Sequence, residues 1–69
     1  MIHAAKIVDQ GDTFWFASLD GDEWIGVSVD PRDSTEAAVQ RAFDGNGRFR
    51  PMRATRGFLQ RYGAKFFDR

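Results

Sequence analysis

The chain has 69 residues, and its ten basic and ten acidic side chains cancel to a formal net charge of zero. A length this short allows one domain, which buries only about 60% of the surface its unfolded chain exposes. With no cysteine and one histidine, His3, the composition excludes disulfides, thiolate nucleophiles, sulfur-ligated zinc and any histidine pair.

The first 29 residues predict a three-stranded antiparallel meander. Residues 2–8, 13–19 and 24–29 are rich in β-branched and aromatic side chains, separated by Asp9-Gln10-Gly11-Asp12 and Asp20-Gly21-Asp22-Glu23. Glycine in such loops accepts the positive φ of a hairpin turn. Loops of two or four residues preserve one parity of pairing. One face then collects His3, Ala5, Ile7, Phe14, Phe16, Ile25, Val27 and Val29. The other collects Ile2, Ala4, Lys6, Trp15, Ala17, Leu19, Trp24, Gly26 and Ser28. A three-residue loop breaks this assignment. On it, Lys6 lies over the Trp15 ring, a cation–π geometry.

A helix is expected over residues 33–44. Asp33-Ser34-Thr35-Glu36 has the form of a capping box, and Ala38, Val39, Ala42 and Phe43 form an apolar stripe. Its expected partner is the Phe14/Phe16/Ile25/Val27/Val29 face, and Asp44-Gly45-Asn46-Gly47 is its expected stop. Arg48-Phe49-Arg50-Pro51 is expected to be extended or a short strand, because the residue before proline is pushed out of the helical region. A second helix is expected from Met52 to Tyr62, with Met52, Thr55, Phe58, Leu59 and Tyr62 on one side, Gly57 in its middle as a cost and Gly63 as its end. Lys65-Phe66-Phe67 suits a short edge strand or a docked apolar tail. The expectation is therefore an α+β fold in a single domain, residues 1–69. It comprises a meander (1–29), a helix on one face (33–44) and a basic, helical or mixed C-terminal segment (48–69).

Charge is balanced overall and polarised along the chain. Residues 1–40 hold two basic and eight acidic side chains, and residues 41–69 hold eight basic and two acidic. Either the halves neutralise each other within the fold, or they present a polarised surface that steers a charged partner. The basic side chains of the second half are seven arginines and one lysine. Arginine forks onto carboxylates and phosphates and stacks on bases, and in residues 48–58 it alternates with phenylalanine. Two candidate contact edges follow. The acidic one comprises Asp20, Asp22, Glu23 and Trp24, and the basic one comprises Arg48, Arg50, Arg53, Arg56 and Arg61. The ordinary alternative is that the phenylalanines are core and the arginines a solvated face.

Other motifs carry less. Asp20-Gly21-Asp22-Glu23 supplies too few oxygens in register for a calcium loop. Gly45-Asn46-Gly47-Arg48 follows a helix instead of a strand, so it fails the context of a phosphate loop. No carboxylate pair has a reason to be desolvated together, so no catalytic residue, metal or cofactor is expected. Trp15 and Trp24 are either the second half of a thin core or, if uncovered, a docking surface. No apolar run nears the roughly 20 residues of a membrane helix, and the N-terminus lacks the order of a signal peptide. A cytoplasmic setting, in a bacterial or phage-infected cell, is expected.

Residues 3–43 place Gly11-Asp12 before Phe14-Trp15-Phe16-Ala17-Ser18-Leu19 and end in Ser34-Thr35-Glu36-Ala37-Ala38. This strand–strand–strand–helix order resembles the N-terminal lobe of HicB-type antitoxins, which implies blocking of a small partner protein. In size and charge polarity the chain also looks like the small inhibitors of phages and mobile elements, anti-CRISPR proteins among them. The function expected is non-catalytic: inhibition of a nucleic-acid-handling protein or ribonucleoprotein through charged surfaces. A nucleic-acid-binding module built on residues 48–61 is the alternative.

Overall fold

The computed structural model describes residues 2–44 and 48–67. Strands β1 (His3–Asp9), β2 (Asp12–Ser18) and β3 (Glu23–Ser28) form the meander, followed by helix α1 (Glu36–Asp44). Strand β4 (Arg48–Thr55), helix α2 (Arg56–Arg61) and strand β5 (Lys65–Phe67) come next. The strands make one five-stranded sheet in the order β4-β3-β2-β1-β5, antiparallel throughout. The meander is thus extended at both edges by strands from the C-terminal third.

The two hairpins of the meander differ in parity, and that difference decides what each face carries. Asp9 lies opposite Asp12, and Gln10 and Gly11 turn the chain with φ of 50° and 84°. Two left-handed residues match the twist of the flanking strands. Between β2 and β3, Trp15 lies opposite Val27 and Ala17 opposite Ile25, so the connection holds an odd number of residues. The expected even parity fails there, and every side chain of β3 moves to the opposite face. Trp24 joins Ala5, Ile7 and Phe16, whereas Val27 joins Ala4, Trp15 and Ala17. The two tryptophans therefore lie on opposite sides of the sheet.

Helix α1 packs on the Trp15/Ala17/Val27 face through Val39, with Ala42 and Phe43 beside it. This corrects the β2 part of the expected partner, Phe14 and Phe16, whereas Val27 and Val29 of that set do lie in the cluster with α1. Its cap is Thr35, whose hydroxyl accepts from the Ala38 amide at 3.1 Å. Asp33, which opens the expected capping box, lies two residues ahead of that cap, and Ser34 between them accepts from the Trp15 ring N–H. Residues Pro31–Asp33 form a short 3-10 turn ahead of it. The expected stop at Gly45-Asn46-Gly47 lies outside the described residues.

The expected helix from Met52 is replaced in its first half by strand, because β4 pairs with β3 as far as Thr55 opposite Glu23. Register along that pair slips between Gly26, opposite Arg50, and Ile25, opposite Arg53. Pro51 and Met52 are the additional residues. Proline has no N–H for a ladder, so an edge-strand irregularity suits it. Thr55 then caps α2, accepting from the Phe58 amide at 3.2 Å. Gly63, with φ 72°, ends the helix through a Gly63 amide bond to Gln60 and an Ala64 amide bond to Leu59. That pair of bonds satisfies two terminal carbonyls at once.

Leu59 of α2 is buried among Ala5, Ile7, Phe16 and Trp24. The β4–α2–β5 segment thus crosses the second face of the sheet and covers it. In β5, alternate side chains go to opposite faces: Phe66 meets Trp24 at 5.4 Å and Phe67 meets Trp15 at 5.6 Å between ring centroids. Both tryptophans are core residues, 3% and 0% exposed for Trp15 and Trp24. No helix among the described residues is long and apolar enough to cross a membrane.

Candidate binding surface

The acidic turn between β2 and β3 is ordered by its own side chains. The Asp20 carboxylate accepts from the amides of Asp22 and Glu23 at 2.9 and 3.1 Å and from the Ser18 hydroxyl at 3.1 Å. The Ser18 hydroxyl accepts in turn from the Gly21 amide at 2.8 Å. Those bonds, from Asp22 first, then Glu23 and Ser18, hold the Asp20 carboxyl below its usual range. Asp20 is consequently spent on the turn, while Asp22 and Glu23 point their carboxylates into solvent-exposed positions. Trp24 does not belong to a contact edge. Its ring N–H donates to the Gly21 carbonyl at 3.0 Å and its indole is wholly enclosed.

The basic segment divides among three environments. Arg48 and Arg50 lie opposite Ser28 and Gly26 on β4, and their side chains lie outside the described residues. Arg53 is exposed on β4, next to Ile25. Arg56 stands with its guanidinium 4.2 Å from the Phe66 ring centroid, a packed cation–π contact, and Arg61 is exposed on α2. Lys6 reaches the Trp15 ring at 5.7 Å, as its place in the strand leads one to expect.

Acidic and basic segments meet at one end of the sheet. The Arg56 amide donates to the Asp22 carbonyl at 3.2 Å, and Thr55 lies opposite Glu23. The turn and the start of α2 therefore form one continuous edge. On α2, Phe58 and Tyr62, one helical turn apart, stack at 4.8 Å between ring centroids while remaining 49% and 62% exposed. Sequence reasoning does not single out this aromatic pair, and places both rings on the same side of a longer helix as Leu59, from which the structure separates them. Helix α2 starts at Arg56, four residues after the expected start, and turns Leu59 inward while Phe58 stays exposed.

A groove of about 590 Å³ opens beside this edge, lined by Leu19, Glu23, Ile25, Phe43, Arg53 and Phe58 among others. His3, the one histidine, packs toward Trp24 at 6.4 Å between rings. No family model, curated protein or solved structure matches the chain.

Proposed function

We propose that the chain is a non-catalytic binding protein that inhibits a larger nucleic-acid-handling protein or ribonucleoprotein by occupying one of its surfaces. The observation that carries this reading is the meeting of the acidic turn with α2, fixed by the Arg56–Asp22 backbone bond. Asp22 beside the start of α2, and Phe58, Arg61 and Tyr62 farther along the chain, are all exposed. Aromatic and arginine side chains of this kind dominate binding energy at protein interfaces, and charges of both signs set register and exclude wrong partners. A phosphate backbone laid along the same edge would meet the Asp22 carboxylate, so mixed charge favours a protein surface. The kind of partner is supported by the small size and the charge polarity of the chain.

The test is affinity capture with the wild type beside the double variant Asp22→Lys/Arg61→Glu, which keeps the net charge unchanged. The wild type is expected to capture a nucleic-acid-handling complex and to lower its affinity for nucleic acid. The variant is expected to lose at least about tenfold in binding, the scale of a single interface hot spot. Equal capture by both proteins overturns the reading.

The exposed Phe58–Tyr62 stack favours a second reading, direct binding of single-stranded nucleic acid on an aromatic platform. A salt series with labelled single- and double-stranded probes separates the two. Direct binding falls steeply with salt, by about 0.9 log units per log unit for each duplex phosphate neutralised. Absence of binding at low salt leaves the protein partner.

A further inference from the structure

Lys6 of β1 and Lys65 of β5 are register partners in the sheet. Alternation along the strands puts both on the face that carries Ala4, Trp15 and Phe67. Directly opposed side chains of an antiparallel pair have Cβ atoms about 5 Å apart, and like charges there are destabilising. The ion pairs among the described residues are Arg32 with Asp30 and Arg41 with Asp33, and neither lysine belongs to one. Along β1 the nearest acid, Asp9, is three residues from Lys6 and so faces the other side of the sheet. A locally unfavourable pair that a fold retains points to a use for it.

Aromatic rings stand where carboxylates would otherwise be. The Lys6 ammonium lies 5.7 Å from the Trp15 ring centroid, and the Lys65 ammonium 5.3 Å from that of Phe67. Those two rings pack on each other at 5.6 Å, so both cations stand over one continuous aromatic floor. A ring face attracts an ammonium without using up its three N–H donors. Thr13, exposed and diagonal to Lys6 on the same face, adds a hydroxyl. Lys6 is half-buried and Lys65 exposed, which gives the cluster a wall and an opening. A second like-charged register pair, Asp9 opposite Asp12, is different, because both carboxylates are exposed to water beside the hairpin turn.

Two opposed positive charges suit an anion that carries two negative charges on one centre. A phosphate monoester does so near neutral pH, whereas a carboxylate or a phosphodiester carries one. Lysine meets phosphate as a point charge and does not need the planar fork of arginine. We infer that Lys6 and Lys65 form a site for a dianionic phosphate, supplied by free phosphate or by the 5′-phosphate of a nucleic acid. The inference goes beyond the proposed inhibition and does not rest on it, since Asp22, Phe58, Arg61 and Tyr62 take no part in the site.

The experiment is an amide NMR titration of the full chain with inorganic phosphate, at an ionic strength held constant with chloride. Amides of Lys6, Trp15, Lys65 and Phe67 are expected to shift and saturate, with a dissociation constant of about 1 mM or tighter. Lys65→Gln, at an exposed position, is expected to weaken binding at least tenfold while the rest of the spectrum stays unchanged. Lys6→Gln is expected to weaken it as much. Arg61→Gln removes the same charge elsewhere and is expected to leave binding intact. The source is read with a short oligonucleotide carrying either a 5′-phosphate or a 5′-hydroxyl. Tighter binding of the phosphorylated form than of inorganic phosphate assigns a nucleic-acid end, and binding no tighter assigns free phosphate.

Equal binding of the two oligonucleotides overturns the inference, because the dianion is then not what is read. So do shifts that stay linear beyond about 10 mM phosphate, shifts indifferent to Lys65→Gln, or an equal loss in Arg61→Gln. Partner capture is expected to survive Lys65→Gln, so the proposed function stands or falls separately.

Discussion

The amide of Arg56 donates to the carbonyl of Asp22 at 3.2 Å, joining the first residue of α2 to the turn between β2 and β3. A helix of six residues has no stability of its own in water, because nucleation costs more than so few hydrogen bonds return. Helix α2 exists because its surroundings hold it at both ends and beneath. Thr55 caps the start, Gly63 closes the finish, and Leu59 is driven into the sheet. The edge proposed as a contact surface is therefore as rigid as the core behind it. Rigid side chains lose less entropy on binding.

Leu59 is the anchor of that arrangement. It is fully buried against Trp24 and Phe16, and its truncation opens a cavity under a helix that cannot collapse without losing both caps. Leu59→Ala is expected to destabilise the fold by about 2–5 kcal/mol, a large part of the roughly 5–15 kcal/mol typical of a domain. Urea unfolding followed by tryptophan fluorescence measures the loss. The native-state emission is also expected to shift to the red as Trp24 gains water. An unchanged midpoint would show that α2 contributes no core.

The Trp15 ring N–H donates to the Ser34 hydroxyl, between the 3-10 turn and α1. Trp15 is nearly enclosed, so removing the acceptor leaves a buried donor without a partner. Ser34→Ala is expected to cost about 1–3 kcal/mol, read as a lower denaturation midpoint with an unaltered circular dichroism spectrum. A neutral result would mean that water reaches the ring nitrogen.

These two tryptophans also mark where the sequence is legible and where it is not. The first hairpin was readable because Gln10-Gly11 can adopt two positive φ values and little else turns a chain so tightly. The second was misread by one residue. Its loop is closed by Ser18 and Asp20 side-chain bonds, which local patterning does not count, and Trp24 consequently changed face. Helix α1 was legible from its apolar stripe, but its partner face followed the parity error. Strand β4 was legible over its first half, residues 48–51, and its continuation to Thr55 was hidden because its pairing with β3 is a long-range contact and Pro51 signals an interruption. Of the site, the acidic and basic segments were readable from charge alone, whereas their meeting at one edge depends on α2 crossing the sheet.

Asp20 gives the fold a dependence on pH. Amide donors from Asp22 and Glu23 and the Ser18 hydroxyl lower its folded-state pKa below the usual value of 3.8. The sign follows from linkage: the stabilisation is fully present above the unfolded value and is lost as pH falls through the folded one. Stability is expected to decline below about pH 4, and Asp20→Asn is expected to flatten that acid limb, because the amide oxygen still accepts but does not titrate. Thermal melts of both proteins between neutral and acidic pH provide the comparison. An identical acid limb in the variant would assign the decline to other carboxylates.

Two glycines near opposite ends of α2, Gly57 within it and Gly63 just beyond it, are expected to respond to the same substitution with opposite signs. Gly63 holds φ at 72° to close the helix, a conformation in which a Cβ crowds the following carbonyl at a cost of roughly 1–2 kcal/mol. Gly63→Ala is expected to lower the melting temperature accordingly. Gly57 lies in the first turn of the helix without a positive φ, and a Cβ built there meets open space. Gly57→Ala removes unfolded-state freedom and adds helix propensity, and is expected to stabilise by about 0.4–1 kcal/mol. Its effect should also appear at the contact edge, since a firmer α2 leaves Phe58 and Tyr62 stacked for more of the time. Equal melting temperatures for the two variants would show that α2 is not closed at Gly63, and the rigidity argued for the edge would fall with it.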